Sequence, residues 1–123
     1  MILVDTSVWI DHLNTDDSRL RQLLSADLAL AHPFVIGEIA LGHLRQREAV
    51  LEALHDLPQA VVASNAEVLR LINRRTLFGS GVGYVDVHLL AAVRLTAEAA
   101  LWTRDRRLRA AAGKIGVALF YAD

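Results

Sequence analysis

The chain has 123 residues, 54% of them apolar and none of them cysteine, with a formal charge of −1. This is enough for one domain around one core and too apolar for disorder, and it excludes disulfides and thiolate metal sites. No apolar run approaches the ~20 residues of a membrane span, and without a global basic signature any nucleic acid must be held by a local patch.

Met1 to Val4 is an unbroken apolar run and reads as a short buried strand. It follows the first methionine directly, so no signal peptide is expected and a cytoplasmic location is. Thr6 or Ser7 is placed to cap a helix running to about Asn14. Thr15-Asp16-Asp17-Ser18 is a turn and a second helix start, with Leu20, Leu23 and Leu24 at helical spacing. Leu28 to Ala31 reads as a second strand. Pro33 suits the first turn of a helix to about Leu44, with Ile36, Ile39, Ala40 and His43 near one face. Another helix spans about Arg47 to Leu57 and is stopped by Pro58. Ala60 to Ala63 reads as a third strand. Asn65 is positioned to cap a helix carrying Val68, Leu69, Leu71 and Ile72, which Gly79-Ser80-Gly81-Val82-Gly83 breaks. A long apolar helix follows from about Tyr84 to Thr96, and Ala99 to Trp102 is a fourth strand. Arg106 to Ala112 is a short basic helix closed by Gly113, and Val117 to Phe120 is a last strand.

Strands alternating with helices imply an α/β fold: a central parallel sheet of about four to five short strands with helices on both faces. The active crevice of such a sheet lies outside the carboxyl ends of its strands. Four acids converge on that crevice by this reading. Asp5 ends the first strand and Asp105 follows the fourth, while Glu38 and Asp86 lie near the starts of their helices. Carboxylates beside core segments are costly unless paired, protonated or bound to a cation. Four of them with no matching lysines point to a hard divalent metal such as Mg²⁺ or Mn²⁺.

The opening Met1-Ile2-Leu3-Val4-Asp5-Thr6-Ser7, then Gly37-Glu38-Ile39, Asp86-Val87-His88-Leu89-Leu90-Ala91-Ala92 and Leu101-Trp102-Thr103-Arg104-Asp105 occur in an order and spacing that resemble the PIN-domain ribonucleases. Within them the likeness is to the VapC toxins of bacterial toxin–antitoxin pairs. It implies a single PIN-like domain over residues 1–123 and a metal-dependent endoribonuclease. It also implies a cognate VapB-type antitoxin threaded along the groove and a homodimer formed through apolar helix faces, for which Leu41, Leu44 and the helix after Tyr84 are candidates. Many members carry a further acid two or three residues after the last aspartate; here Arg107 and Leu108 stand in those places.

Phosphodiester hydrolysis needs a nucleophilic hydroxide and neutralised phosphoryl oxygens, and a carboxylate-held cation provides both. Asp5 and Asp86 are assigned as direct ligands and Asp105 as a direct or water-mediated one. Glu38 either ligates through water or orients the attacking water. Thr6, Ser7 and Thr103 are candidate donors to the carboxylates or to phosphate. Arg104, Arg106, Arg107 and Arg109, and separately Arg70, Arg74 and Arg75, are placed to grip flanking phosphates or simply to solvate helix faces. His43 and His88 lie near the acids in sequence but are expected to be packed, and Trp9 and Trp102 are expected in the core. The competing function is a non-catalytic module of the same fold that binds RNA or protein. A phosphoryl-accepting aspartate domain ranks lower, because Lys114 is the only lysine and Asp5 has no second acid beside it.

Overall fold

A computed structural model describes residues 1–121. Its elements in chain order are β1 (Ile2–Val4), α1 (Thr6–Asn14), α2 (Ser18–Ser25), β2 (Ala29–Leu30), α3 (Pro33–Ala40), α4 (Arg47–Asp56), α5 (Asn65–Arg74), α6 (Tyr84–Leu95), β3 (Ala100–Trp102) and α7 (Arg106–Ile115).

The sheet is parallel with strand order β2-β1-β3, so the first strand is central. Leu3 pairs with Leu30 on one side and Leu101 on the other. Consecutive residues of a strand point to opposite faces. Leu3 and Val4 are both 0% exposed, so both faces are covered, as an all-parallel sheet requires.

Three of the expected strands form, and the other two contract to single bridges at Gln59 and Leu119. The segment read as a strand from Ala60 to Ala63 stays outside the sheet. Val61 and Val62 are about half exposed, and the Val61 amide donates to Thr96 Oγ1 at 2.9 Å instead of to a neighbouring strand. At the other edge the Leu101 amide reaches Ala118 and the Phe120 amide reaches Leu101, which pairs Leu119 alone.

Helix boundaries differ from expectation at three points, each for a local reason. α3 stops at Ala40 rather than near Leu44. Gly42 is a poor helix residue, and the Arg47 guanidinium donates twice to the Ala40 carbonyl, closing the end. α5 is capped by Ser64, not Asn65. The Ser64 hydroxyl accepts the Glu67 amide while the Glu67 carboxylate accepts the Ser64 amide, a reciprocal capping box. α7 runs through Gly113 to Ile115 and ends at Gly116, whose φ of +73° a side chain would strain. Burial of Leu108, Ala111, Ala112 and Ile115 along one stripe outweighs the ~1 kcal/mol cost of an internal glycine.

α6 is the core helix of the domain. Every residue from Val87 to Val93 is buried, and α6 packs against both β3 and α5. Its twelve residues fall short of a bilayer, and among the described residues no helix is long and apolar enough to cross one. Trp9 and Trp102 are buried as expected.

The capping box makes a simple test of this frame. Ser64→Ala removes one of its two hydrogen bonds and should destabilise the domain by about 1 kcal/mol in urea unfolding. Asn65→Ala should cost less, because its side chain accepts only the exposed Tyr84 hydroxyl.

Candidate active site

Asp5 occupies the cap position of α1, yet its carboxylate makes no capping bond. Neither Thr6 nor Ser7 is the cap. Its backbone extends the sheet, with the Asp5 amide donating to the Trp102 carbonyl at 2.9 Å. The side chain is 95% buried as a residue and turns toward β3 and α1, where Ser7 Oγ and Thr103 Oγ1 both donate to Oδ2, at 2.8 and 2.7 Å. Each hydroxyl oxygen in turn accepts a backbone amide, from Arg104 at Ser7 and from Asp105 at Thr103. An amide N–H donates and cannot accept, so the single proton of each hydroxyl is left for Asp5. The orientation of Asp5 is therefore fixed by two oriented donors on different elements, and Oδ1 carries neither bond.

The other acids meet it from separate helices. Glu38 lies on the exposed face of α3, where Thr6 Oγ1 donates to its Oε1 at 2.7 Å and ties α1 to α3. Asp105 caps α7 through Oδ1, which accepts the Leu108 amide at 3.0 Å. Asp86 sits in the first turn of α6, half-buried. Its pKa is pushed up to about 6, first by burial and then by the negative charges of Asp5, Asp105 and Glu38. That dependence places all four carboxylates in one electrostatic neighbourhood. None of the four takes part in an ion pair among the described residues. The site is a concentration of uncompensated negative charge.

The oxygens are nevertheless not drawn together. Among the described residues no three acidic or imidazole side chains stand close enough to form a finished ligand cage. The two observations agree physically, because carboxylates that repel one another at Coulomb range will stay apart until a cation offsets the repulsion. An oxygen-only, uncompensated donor set fits a hard divalent cation in both charge and ligand type.

Behind the acids lies an aromatic stack. His88 is 1% exposed and packs edge-on against Phe34 and Tyr84, with ring centroids 4.6 and 4.8 Å away. Neither of its ring nitrogens has a hydrogen-bond partner, and burial depresses its pKa. His32 caps α3 by accepting the Phe34 amide on Nδ1, and burial followed by His88 lowers its pKa to about 4. Both imidazoles are neutral packing groups at pH 7. His43 is exposed beyond the shortened α3.

The arginines near Asp105 separate on inspection. Arg104, grouped by sequence with the phosphate-gripping residues, is engaged elsewhere. Its guanidinium pairs with Asp11 at 2.6 Å and Asp17 at 2.8 Å, over the Trp102 ring. Arg109 donates to the Thr103 carbonyl at 2.9 Å. Arg107 lies against Gly81, where a Cβ would meet its Cδ at 3.4 Å, and Arg106 is exposed at the first position of α7. Arg94, on the far turn of α6, escaped the sequence reading. Its signal was its place at helical spacing from Ala91 on the flank of an apolar helix.

A parallel three-stranded core with acids at the carboxyl end of its central strand and at the starts of α6 and α7 defines a PIN-type nuclease architecture. The family model described as the PIN domain matches residues 2–114. The chain belongs to the PIN-domain family, within its VapC group. It is 56% identical over 119 residues to the protein named Ribonuclease VapC32 in Mycobacterium tuberculosis, in the CDC 1551/Oshkosh and ATCC 25618/H37Rv strains alike; the match covers 97% of this chain and 96% of each relative.

The charge balance at Asp86 has a pH signature. Its folded pKa of about 6 exceeds the ordinary 3.8, so the folded state binds more protons between those values and stability falls as pH rises through that window. His32, depressed from 6.5 to about 4, acts in the opposite sense, because acidification below 6.5 favours the unfolded chain. The test is therefore the difference between two chains. In EDTA at pH 7.5, Asp86→Asn should raise the thermal midpoint by roughly 2–5 °C, after discounting the shift for partial solvent screening. That gain should shrink toward zero by about pH 4. An equal or lower midpoint at pH 7.5 would show that the charged Asp86 carboxylate is no cost to the fold, by burial or by repulsion.

Proposed function

We propose that this chain is a divalent-metal-dependent endoribonuclease acting as the toxin of a toxin–antitoxin pair. The reading is supported by Asp5, Glu38, Asp86 and Asp105 sharing one electrostatic neighbourhood, in which burial first and then the charges of the other three push the Asp86 pKa up. Its near-full-length identity to a protein named as a ribonuclease supports it.

Asp5, Asp86 and Asp105 would hold the cation, with Mg²⁺ the first choice and Mn²⁺ a plausible substitute. Once bound, such an ion supplies positive charge to the phosphoryl oxygens and acidifies a water. The chain's own residues do the rest. Asp5 presents Oδ1, because Ser7 and Thr103 hold Oδ2. Asp105 presents Oδ2, because Oδ1 is used by the α7 amide. Glu38 has its Oε1 anchored by Thr6, which leaves Oε2 to accept a proton from the attacking water. The scissile phosphate approaches from the open side of Glu38, the most exposed of the acids facing the crevice along with Asp105.

The partners follow from the same reading. They are an RNA substrate, a VapB-type antitoxin that occupies the groove, and a second copy of the chain, all in the cytoplasm. Leu41 is 90% exposed just past α3 and supports an apolar self-association surface there. Most of α6 is core, so only its ends, Tyr84 and Leu95, remain available.

Asp5→Asn and Asp86→Asn should each lower Mg²⁺- or Mn²⁺-dependent cleavage of single-stranded RNA by at least about 100-fold while the chains remain folded. Full activity in either variant would refute the assignment. Metal-independent RNA binding with no cleavage by the unsubstituted chain would favour the non-catalytic module.

Thr103→Val keeps the shape of a buried side chain but deletes one donor to Asp5. It should weaken divalent-metal affinity by roughly 10-fold or more, read by thermal-shift titration, and Thr103→Ser should restore it. Equal affinity in all three chains would limit Thr103 to packing.

A further inference from the structure

The acid crevice can neutralise one phosphate through its cation, but four carboxylates offer nothing to the rest of a polyanionic strand. The arginines nearest to it are partly spent, Arg104 on Asp11 and Asp17 and Arg109 on a carbonyl. Arg106 and Arg107 stay exposed at the start of α7 without an ion pair among the described residues, and a further basic surface lies at the other end of α6. There α5 and the C-terminal half of α6 form an open cavity of about 340 Å³ walled by Arg70, Arg74, Arg75 and Arg94, with Leu71 and Leu95 in its lining.

Among the described residues the only acid in that lining is Glu67, which leaves the lining with a formal charge of +3 in a chain whose total is −1. Glu67 is also committed to the capping box, where its carboxylate accepts the Ser64 amide at 2.9 Å. Arg75 has its position fixed by donating to the Ile115 carbonyl at 3.1 Å. Arg70, Arg74 and Arg94 form no ion pair among the described residues. Like charges held within a Debye length repel, and an anion in the cavity would relieve that repulsion. Guanidinium forks match phosphate oxygens in pairs. Asp86 and Arg94 stand eight residues apart on one rigid helix, about 12 Å along its axis, a separation that a strand of a few nucleotides covers.

We propose that the α5–α6 cavity is a second binding site for the RNA backbone, in which Arg70, Arg74 and Arg94 hold phosphates away from the cleavage point. The site rests on the ribonuclease reading for the identity of its ligand, and on its own geometry for the chemistry. It sets affinity and strand direction rather than chemistry, because guanidiniums there contact phosphate and no reacting atom.

The test is equilibrium binding of a labelled single-stranded RNA in EDTA, so that cleavage plays no part, across a KCl series. The chain Arg70→Gln/Arg74→Gln/Arg94→Gln is compared with Arg19→Gln/Arg21→Gln/Arg45→Gln, which loses the same charge from exposed positions elsewhere. Arg75 is left in place because it also fastens α5 to the end of α7. The pocket variant should bind roughly 10-fold or more weaker at low salt, with the slope of log K against log[KCl] reduced by about 2, near 0.7 for each lost phosphate contact. The control should keep most of the affinity and slope. Equal losses in both chains, or none in the pocket variant, would overturn the proposal. So would loss of polyglutamate binding or of self-association in the pocket variant with RNA affinity intact, which would assign the cavity to an acidic peptide or to a second copy. Absence of metal-dependent cleavage by the unsubstituted chain would defeat the nuclease reading and leave this binding comparison standing.

Discussion

The buried carboxylate of Asp5 is the constraint on which the site depends. A carboxylate at the end of a central strand, with little access to water, is tolerable only if its oxygens are met by donors. Here one of them, Oδ2, is met by two hydroxyls, each accepting a backbone amide, one from α1 and one from the segment joining β3 to α7. The arrangement fastens the start of α1 and Thr103, 98 residues on from Asp5, to one atom. It also leaves Oδ1 free of both of these bonds. A lysine or arginine beside Asp5 would have satisfied the charge more simply, but it would also have filled the place a cation needs.

That choice recurs around the crevice. Thr6 holds Glu38 and an amide holds Asp105, so neutral donors orient the acids and no cationic side chain neutralises them. Repulsion among the four acids and the burial of Asp86 remain as a cost to the fold. The core beneath offsets it. Val87 to Val93 are buried without interruption, and His32 and His88 are packed as neutral rings despite unmet nitrogens. A region that bears both an unneutralised charge cluster and three unmet nitrogens on two buried imidazoles has been shaped by something other than stability alone.

Much of this was legible in the sequence, and the reasons are local. An unbroken apolar run ending in Asp5, a proline opening α3 and a glycine-rich break before Tyr84 are short-range signals, and the elements they mark form nearly where expected. The acids were visible because a charge beside an apolar segment is costly anywhere. What sequence could not give was long-range. Val61 and Val62 have strand-like residues but no neighbour to pair with, so the third strand shrinks to a bridge at Gln59. Gly113 looked like a helix stop until the stripe of Leu108, Ala112 and Ile115 found a core to enter. Arg104 looked like a phosphate ligand because its partners, Asp11 and Asp17, lie about ninety residues earlier.

The distribution of charge along α6 draws these threads together. A helix favours acids in its first turn and bases in its last, because the aligned peptide dipoles leave partial positive and negative ends. α6 has Asp86 in its first turn and Arg94 in its last. α5 follows the same rule with Glu67 and Arg74. The polarity that helix stability prefers is thus the polarity that a cation-dependent cleavage site and a phosphate grip would need at opposite ends of α6, whereas on α5 the first-turn acid, Glu67, caps the helix and lines the basic cavity itself. Under that proposal a chain of net charge −1 would engage a polyanion through the separation of its charge rather than its sum, with the buried core of α6 holding the two ends apart.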